Sequence, residues 1–345
     1  MSEEVKKTKK TKKPVEEKPV FIGLDIGTMN LVMNNGKKVK SMRNVFLPID
    51  ENQVQGSVLD NVAYTEIEDQ IVILGQDAFD FCNIFGKEAM RPMKDGLISN
   101  EQIDGLEVLG TMIKALINSK SKDITCCFCI PGAPIDQDRN VIYHERVLTR
   151  LIKSIGCKPV AINEALAVIF SECEDTTFSG LAFSFGSGMS NVCAAYKGME
   201  TASFSVARGG DWIDSNVASA VNSVQSQVTK IKESGIDLND WTIKSKNRKE
   251  KRIKEALKHY YEELIEYAVE NIVLELEKKL DDMNFPDEMP IVLSGGTSLP
   301  EGFIDLFGEV LETYKDRLPF DISEIRYAED QLNAVANGCY IRSQL

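Results

Sequence analysis

The stretch Phe21 to Asn30 reads Phe-Ile-Gly-Leu-Asp-Ile-Gly-Thr-Met-Asn, and Leu181 to Val192 reads Leu-Ala-Phe-Ser-Phe-Gly-Ser-Gly-Met-Ser-Asn-Val. Each is an apolar run, a Gly-rich turn and a returning run, the pattern of a short hairpin. Ile-Gly-Thr-Met-Asn in the first is echoed by Phe-Gly-Ser-Gly-Met-Ser-Asn in the second. An internal duplication of this kind predicts two related domains facing each other across one ligand. Glycine lets the backbone come close to that ligand. Bare amides and the Thr28 hydroxyl can then face a phosphate. Asp25 cannot bind the phosphate itself, because both are anionic; it suits a magnesium ion held through water. Taken alone, the first stretch is equally an ordinary hairpin with an exposed acid, and the second copy is what favours the phosphate loop.

Composition narrows the setting. The chain has 345 residues, enough for two domains with proper cores. Hydrophobic content of 43% and charged content of 27% are those of a soluble globular protein. No apolar run approaches the ~20 residues of a membrane helix. The Lys-rich start has no apolar segment behind it, so it is no secretory signal, and the cytoplasm is the expected compartment. The net charge of −13 argues against general nucleic-acid binding. Residues 1–19, with Lys and Thr from Lys6 to Lys13, form a tail expected to be disordered. It offers weak attraction to an anionic surface but almost no apolar side chains for membrane insertion. Most of the eight cysteines sit in apolar runs, as in Thr125-Cys-Cys-Phe-Cys-Ile130, which predicts reduced, buried thiols. His144 and His259 are the only histidines, so histidine catalysis and His-rich metal sites are disfavoured.

Taken in order, Lys37 to Arg43 closes a third strand after the first hairpin. Val45 to Val62, with Pro48 and Gly56, reads as a loop, and Ile71 to Leu74 as a strand. Arg91-Pro-Met-Lys-Asp-Gly-Leu-Ile98 is a polar turn. Ile103, Leu106, Leu109, Ile113 and Leu116 mark an amphipathic helix over Glu101 to Asn118. Ile124 to Ile130 is a strand buried on both faces. Asp136 is placed to cap a helix from Gln137 to Ile155, which Gly156 closes. Cys157 to Ile162 is another buried strand, and a helix starts at Asn163-Glu-Ala-Leu-Ala167. This alternation puts the first half in the α/β class. In the second half Glu200 to Arg208 is a strand, and Gly209-Gly-Asp-Trp-Ile-Asp214 leads into a helix carrying Val217, Val221, Val224 and Val228. Ile236 to Asn247 is irregular, and Lys249 to Asp282 is a long helix whose basic first turns read as a solvated face. Ile291 to Ser294 is a buried strand running into Gly295-Gly296-Thr297, a turn suited to a flat adenine–ribose unit. Helices follow from Pro300 and from Asp330 to Ser343.

The order of these parts resembles the actin fold, and within it the bacterial actins related to MreB and MamK. Asp25-Ile-Gly-Thr, Arg91-Pro to Gly96, Ile130-Pro-Gly, Asn163-Glu, the second hairpin, Gly209-Gly-Asp and Ser294-Gly-Gly-Thr follow one another from about Val20 to the C-terminus. The resemblance implies an actin-like, ribonuclease H-like α/β architecture of two duplicated domains, each split into two subdomains, with ATP and Mg2+ in the cleft. Domain I is expected over 20–163 and domain II over 164–330, with 331–345 a C-terminal helix returning to domain I. Gly27, Thr28, Met29 and Asn30 would form the first phosphate loop, with Asp25 on the metal. Gly186, Ser187, Gly188, Met189 and Ser190 would form the second. Gly209, Gly210 and Asp214 would line the nucleoside side, opposite Gly295, Gly296 and Thr297, with Lys232 and Glu233 near ribose and base. Glu164 falls where the family keeps a glutamate that positions the attacking water. Ser184 departs from the pattern, since the family carries an aspartate there; a hydroxyl lacks the charge to hold the metal and orient water, so slow hydrolysis is expected.

The function this implies is a cytoskeletal, cytoplasmic ATP-binding protein that polymerises with copies of itself to organise a cargo. A non-polymerising assembly or adaptor ATPase is the alternative that Ser184 favours. A small-molecule kinase of the same superfamily is the other, and it would need a substrate-binding insertion, which the sequence lacks.

Overall fold

The computed structural model describes residues 19–50, 59, 61–67, 70–85, 89–99, 104–240, 247–278 and 288–345. The N-terminal tail up to residue 18, Ile103 and the end of the long helix after residue 278 lie outside them. The chain opens with β1 (Val20–Ile26), β2 (Asn30–Asn34) and β3 (Val39–Arg43), then β4 (Phe46–Ile49), β5 (Tyr64–Ile67), β6 (Gln70–Leu74) and α1 (Gly75–Phe85). A two-stranded hairpin, β7 (Met93–Lys94) and β8 (Leu97–Ile98), precedes α2 (Gly105–Ile117), β9 (Ile124–Ile130), α3 (Val141–Ser154), β10 (Lys158–Asn163) and α4 (Glu164–Glu172). The second half runs β11 (Gly180–Phe185), β12 (Ser190–Tyr196), β13 (Met199–Val206), α5 (Gly210–Val221), α6 (Gln225–Glu233) and α7 (Arg248–Glu277). It ends with β14 (Glu288–Ser294), α8 (Phe303–Glu312), β15 (Asp321–Tyr327) and α9 (Ala334–Ser343).

The duplication read from the hairpins is a duplication of topology. One five-stranded sheet has the order β3-β2-β1-β9-β10, the other β13-β12-β11-β14-β15. In each, three antiparallel strands are extended by two parallel ones. Between β3 and α2 the first half inserts the small sheet β4-β6-β5 with its own core of Val45, Leu47, Ile49, Ile71 and Ile73. Between β13 and β14 the second half inserts α5, α6 and α7. The architecture is α/β with two duplicated sheets, as the resemblance implied.

Between the sheets lies a core built of small residues, among them Cys127, Cys129, Ala165, Ala167, Ala182, Cys193, Ala334 and Cys339. Here α9 packs on α4 and across β1. A Cβ on Gly338 would stand 1.7 Å from the Ala167 carbonyl oxygen, and one on Gly23 would stand 2.1 Å from that of Ala336, so only glycine permits this approach. The cysteines act as small apolar side chains, and all eight are free thiols.

Several expectations need correction. Val45 to Val62 is not wholly loop: Phe46–Ile49 is a strand, with Phe46, Leu47 and Ile49 buried. It lies at the edge of its small sheet, paired with β6 and bridged to Met90 only at Phe46 among the described residues, and an edge strand tolerates Pro48. Asp136 does not cap a helix; its carboxylate accepts the Ala207 N–H at 2.9 and 3.1 Å, tying this loop to the other sheet. The helix begins later, at Val141, where Asn140 Oδ1 accepts the Tyr143 N–H. The valines from Val217 to Val228 do not share one helix. Asn222 takes a left-handed conformation (φ 54) that ends α5, and Val224 is exposed before α6. No helix starts at Pro300; a 3₁₀ turn at Gly296–Ser298 precedes α8. The last helix starts at Ala334 rather than Asp330. Among the described residues, no helix is long and apolar enough to cross a membrane.

Candidate functional site

A cleft of about 710 Å³ lies between the two sheets, walled by both hairpins. The hairpin turns are superimposable in their bonding. Gly27 N–H donates to Asn30 O at 3.0 Å, and Gly186 N–H donates to Met189 O at 3.0 Å. Asp25 sits opposite Val32 in the first hairpin as Ser184 sits opposite Asn191 in the second. A third turn, Asp95-Gly96 between β7 and β8, meets both loops: Gly96 N–H donates to Thr28 Oγ1 at 3.0 Å. A Cβ on Gly188 would come within 2.4 Å of Gly96 N and of Thr28 Oγ1, which is why a glycine stands there.

Most residues predicted for the site line this cleft. From the first sheet come Asp25, Gly27, Thr28, Met29 and Asn30, and Glu164 stands at the start of α4. Ser184, Gly186, Ser187, Gly188 and Met189 come from the second hairpin, and Gly210, Asp214, Lys232 and Glu233 from α5 and α6. Gly295, Gly296 and Thr297 follow β14. Gly209 and Ser190 stand behind the second loop instead. A Cβ on Gly209 would meet the Gly186 and Ser187 carbonyls, and Ser190 Oγ donates to Arg208 O. Lys232 is held by Gly210 O (2.9 Å) and Asp214 (2.8 Å), and Glu233 pairs with Arg43 (3.5 Å) across the mouth. A second ion pair across the lobes joins Arg91 to Asp211 at 2.7 Å.

Sequence reasoning missed Asn191, Gly96, Asp211, Thr229 and Leu332, all on the cleft wall. Asn191 carried a signal, because superposing the two Gly turns puts it opposite Ser184. The others come together only through tertiary folding.

The cleft is acidic: Asp25, Glu164, Asp211, Asp214, Glu233, Asp237 and Glu301 line it, against Arg43 and Lys232. Burial pushes the Asp25 carboxyl up to about 6, opposed by the Cys129 thiol that donates to it at 3.2 Å. Burial and then the charge of Asp25 push Glu164 up to about 8, opposed by hydrogen bonds from Ser184 (2.8 Å) and Asn191. Asp214 is raised by burial and lowered by Lys232. One oxygen of Asp214 accepts from Thr229 Oγ1 at 2.7 Å. The other is buried in the ion pair with Lys232, 2.8 Å away.

These features fit a metal-bound polyphosphate with a sugar. Free amides in two loops suit phosphate oxygens, and Asp214, whose carboxylate oxygens each keep a second lone pair beside Lys232 and Thr229, suits a hydroxyl donor. Among the described residues, no group of three or more His, Cys, Asp or Glu could hold a metal by itself. A divalent cation would therefore share Asp25 with the phosphates, the arrangement magnesium favours.

The profile of the volactin family matches residues 20–343. The chain belongs to the volactin family. A search of curated protein sequences returns no match. Among solved structures, this volactin-family chain is similar to the MamK double helical filament, at 15% identity and a TM-score of 0.72, covering 95% of this chain and 99% of that one. It is similar to MreB5 of Spiroplasma citri bound to ADP, at 15% identity and a TM-score of 0.66, covering 94% and 96%. It is also similar to the ethanolamine utilization protein EutJ from Carboxydothermus hydrogenoformans, at 16% identity and a TM-score of 0.52, covering 95% and 91%. At these identities the likeness establishes the actin-like fold.

Proposed function

We propose that this chain binds Mg-ATP in the cleft and assembles with copies of itself into a cytoskeletal filament. The observation that carries the reading is the pair of equivalent Gly turns, one from each duplicated sheet, facing one cavity. Thr28, Met29, Ser187 and Gly188 would take the phosphates, Asp25 the hydrated metal, and Asp214 with Lys232 the ribose. Bound magnesium would neutralise phosphate charge, and Glu164 would orient water. The two domains are residues 20–163 and 164–330, with 331–345 returning to the first. Similar chains have been solved as a filament and with ADP bound, which supports both halves of the proposal.

A non-polymerising nucleotide clamp is the second reading. It is favoured by Ser184, which gives its proton to Glu164 where the mirrored hairpin has an acid. Sedimentation and negative-stain microscopy of the purified protein with Mg-ATP separate the two. Filaments that form with ATP support the first reading. ATP binding by a species that stays monomeric at tens of micromolar supports the second and excludes the first.

A further inference from the structure

We infer that Asn44 and Thr297 are paired positioning residues that aim the two phosphate loops from behind. This rests on the reading of the cleft as a polyphosphate site and deepens it. In a trans peptide unit the C=O and the following N–H point in opposite directions, so holding a carbonyl on one side presents the next amide to the other. Asn44 Nδ2 donates to Gly27 O at 2.9 Å, which turns the Thr28 amide the other way. Thr297 Oγ1 donates to Gly186 O at 2.8 Å, joining the Gly210 N–H that donates to the same oxygen at 3.0 Å, and together they do the same for the Ser187 amide. Gly27 and Gly186 are the equivalent residues of the two hairpins, so the same carbonyl is captured in both lobes by a side chain from elsewhere in the chain. The Thr28 and Ser187 amides take no partner among the described residues.

Backbone donors extend the device by one residue. Asn44 N–H donates to Met29 O at 2.8 Å, and Asp211 N–H donates to Ser187 O at 2.8 Å. Asn44 is fully buried, and its Oδ1 has no hydrogen-bond partner among the described residues. A buried amide that leaves its acceptor empty is retained for its donor. Thr297, predicted from sequence as a nucleotide contact, is 5% exposed with its hydroxyl committed to the loop, so it acts through Gly186.

The test compares affinities for Mg-ATP and for adenosine, which lacks the phosphates, in the full chain and its variants. Thr297→Val removes the donor at nearly constant volume, and Thr297→Ser keeps it; Asn44→Leu removes the donor in the other lobe. The expected result is ATP binding about tenfold weaker in Thr297→Val and in Asn44→Leu, adenosine binding within about twofold of the parent, and ATP affinity recovered in Thr297→Ser. Full ATP affinity in Thr297→Val, or equal losses for ATP and adenosine, overturns the inference. Thr297→Ser and Thr297→Val differ by one hydroxyl, so their comparison holds even if Asn44→Leu folds poorly. If the parent chain binds no ATP, the reading of the cleft fails and the braces fail with it; if the parent and Thr297→Val bind alike, the braces alone fail.

Discussion

Ser184 occupies in the second hairpin the seat that Asp25 occupies in the first, and it spends its proton on Glu164. A hydroxyl there leaves two carboxylates rather than three around the expected metal. Ser184→Asp is therefore expected to raise ATP turnover at saturation by about tenfold or more, measured as phosphate release, while destabilising the ligand-free protein by crowding a third acid beside Glu164. A second residue-scale prediction concerns His144, which is 2% exposed and accepts the Ile98 N–H on Nδ1. Burial lowers it from 6.5 to about 4. The native state then binds fewer protons than the unfolded chain between those values. The His144 contribution to stability is full above pH 6.5 and is lost as the pH drops through that window, by about 3 kcal/mol, while the raised carboxyls of Asp25 and Glu164 act in the opposite direction. Denaturant titrations from pH 7 to pH 4 should show it as a difference: His144→Asn, which keeps an acceptor for Ile98 but does not titrate, should gain stability relative to the parent as the pH falls. The burial of His144 was not legible in the sequence, where it reads as part of a charged helical stretch; the β7–β8 hairpin that covers it is a tertiary neighbour.

At the scale of elements, the hairpins and central strands were legible because an apolar run ending in Gly carries its own punctuation. Ile124–Ile130 is buried except at Thr125 and Ile130, the run from Ile291 into Ser294 is buried throughout, and both read as buried strands. Less apolar edge elements were not. Tyr64–Ile67 and Asp321–Tyr327 lie at sheet edges, where polar residues such as Glu66 and Glu324 are tolerated and the alternation is lost. The break at Asn222 was hidden because the valines keep helical spacing across it. The packing of α9 was only partly legible: its small residues were visible, but not that Gly338 lies against Ala167. Gly338→Ala is expected to cost at least about 2 kcal/mol in chemical denaturation, because backbone rather than a flexible side chain stands in the way. Ala336 and Cys339 are buried on the same helix, so Cys339→Ala, which removes volume instead, should cost less and separate overpacking from loss of contact.

For the whole molecule, the two lobes are joined on one side by shared core and by bonds such as Gly132 N–H to Asn191 Oδ1 (2.9 Å) and Ser205 Oγ–H to Gly132 O (2.8 Å). On the other side they meet through the Arg43–Glu233 and Arg91–Asp211 ion pairs. One side resembles a hinge and the other a mouth, with an acidic, glycine-walled cavity between them. The proposed function requires that cavity to hold one nucleotide through both loops at once. The most direct measurement is calorimetric titration of the purified chain with ATP, with and without Mg2+. One nucleotide per chain is expected, bound markedly tighter with Mg2+ and weakened by substitution in either loop, such as Gly27→Val or Gly188→Val. Absence of binding at millimolar ATP, or binding unaffected by either substitution, would contradict it.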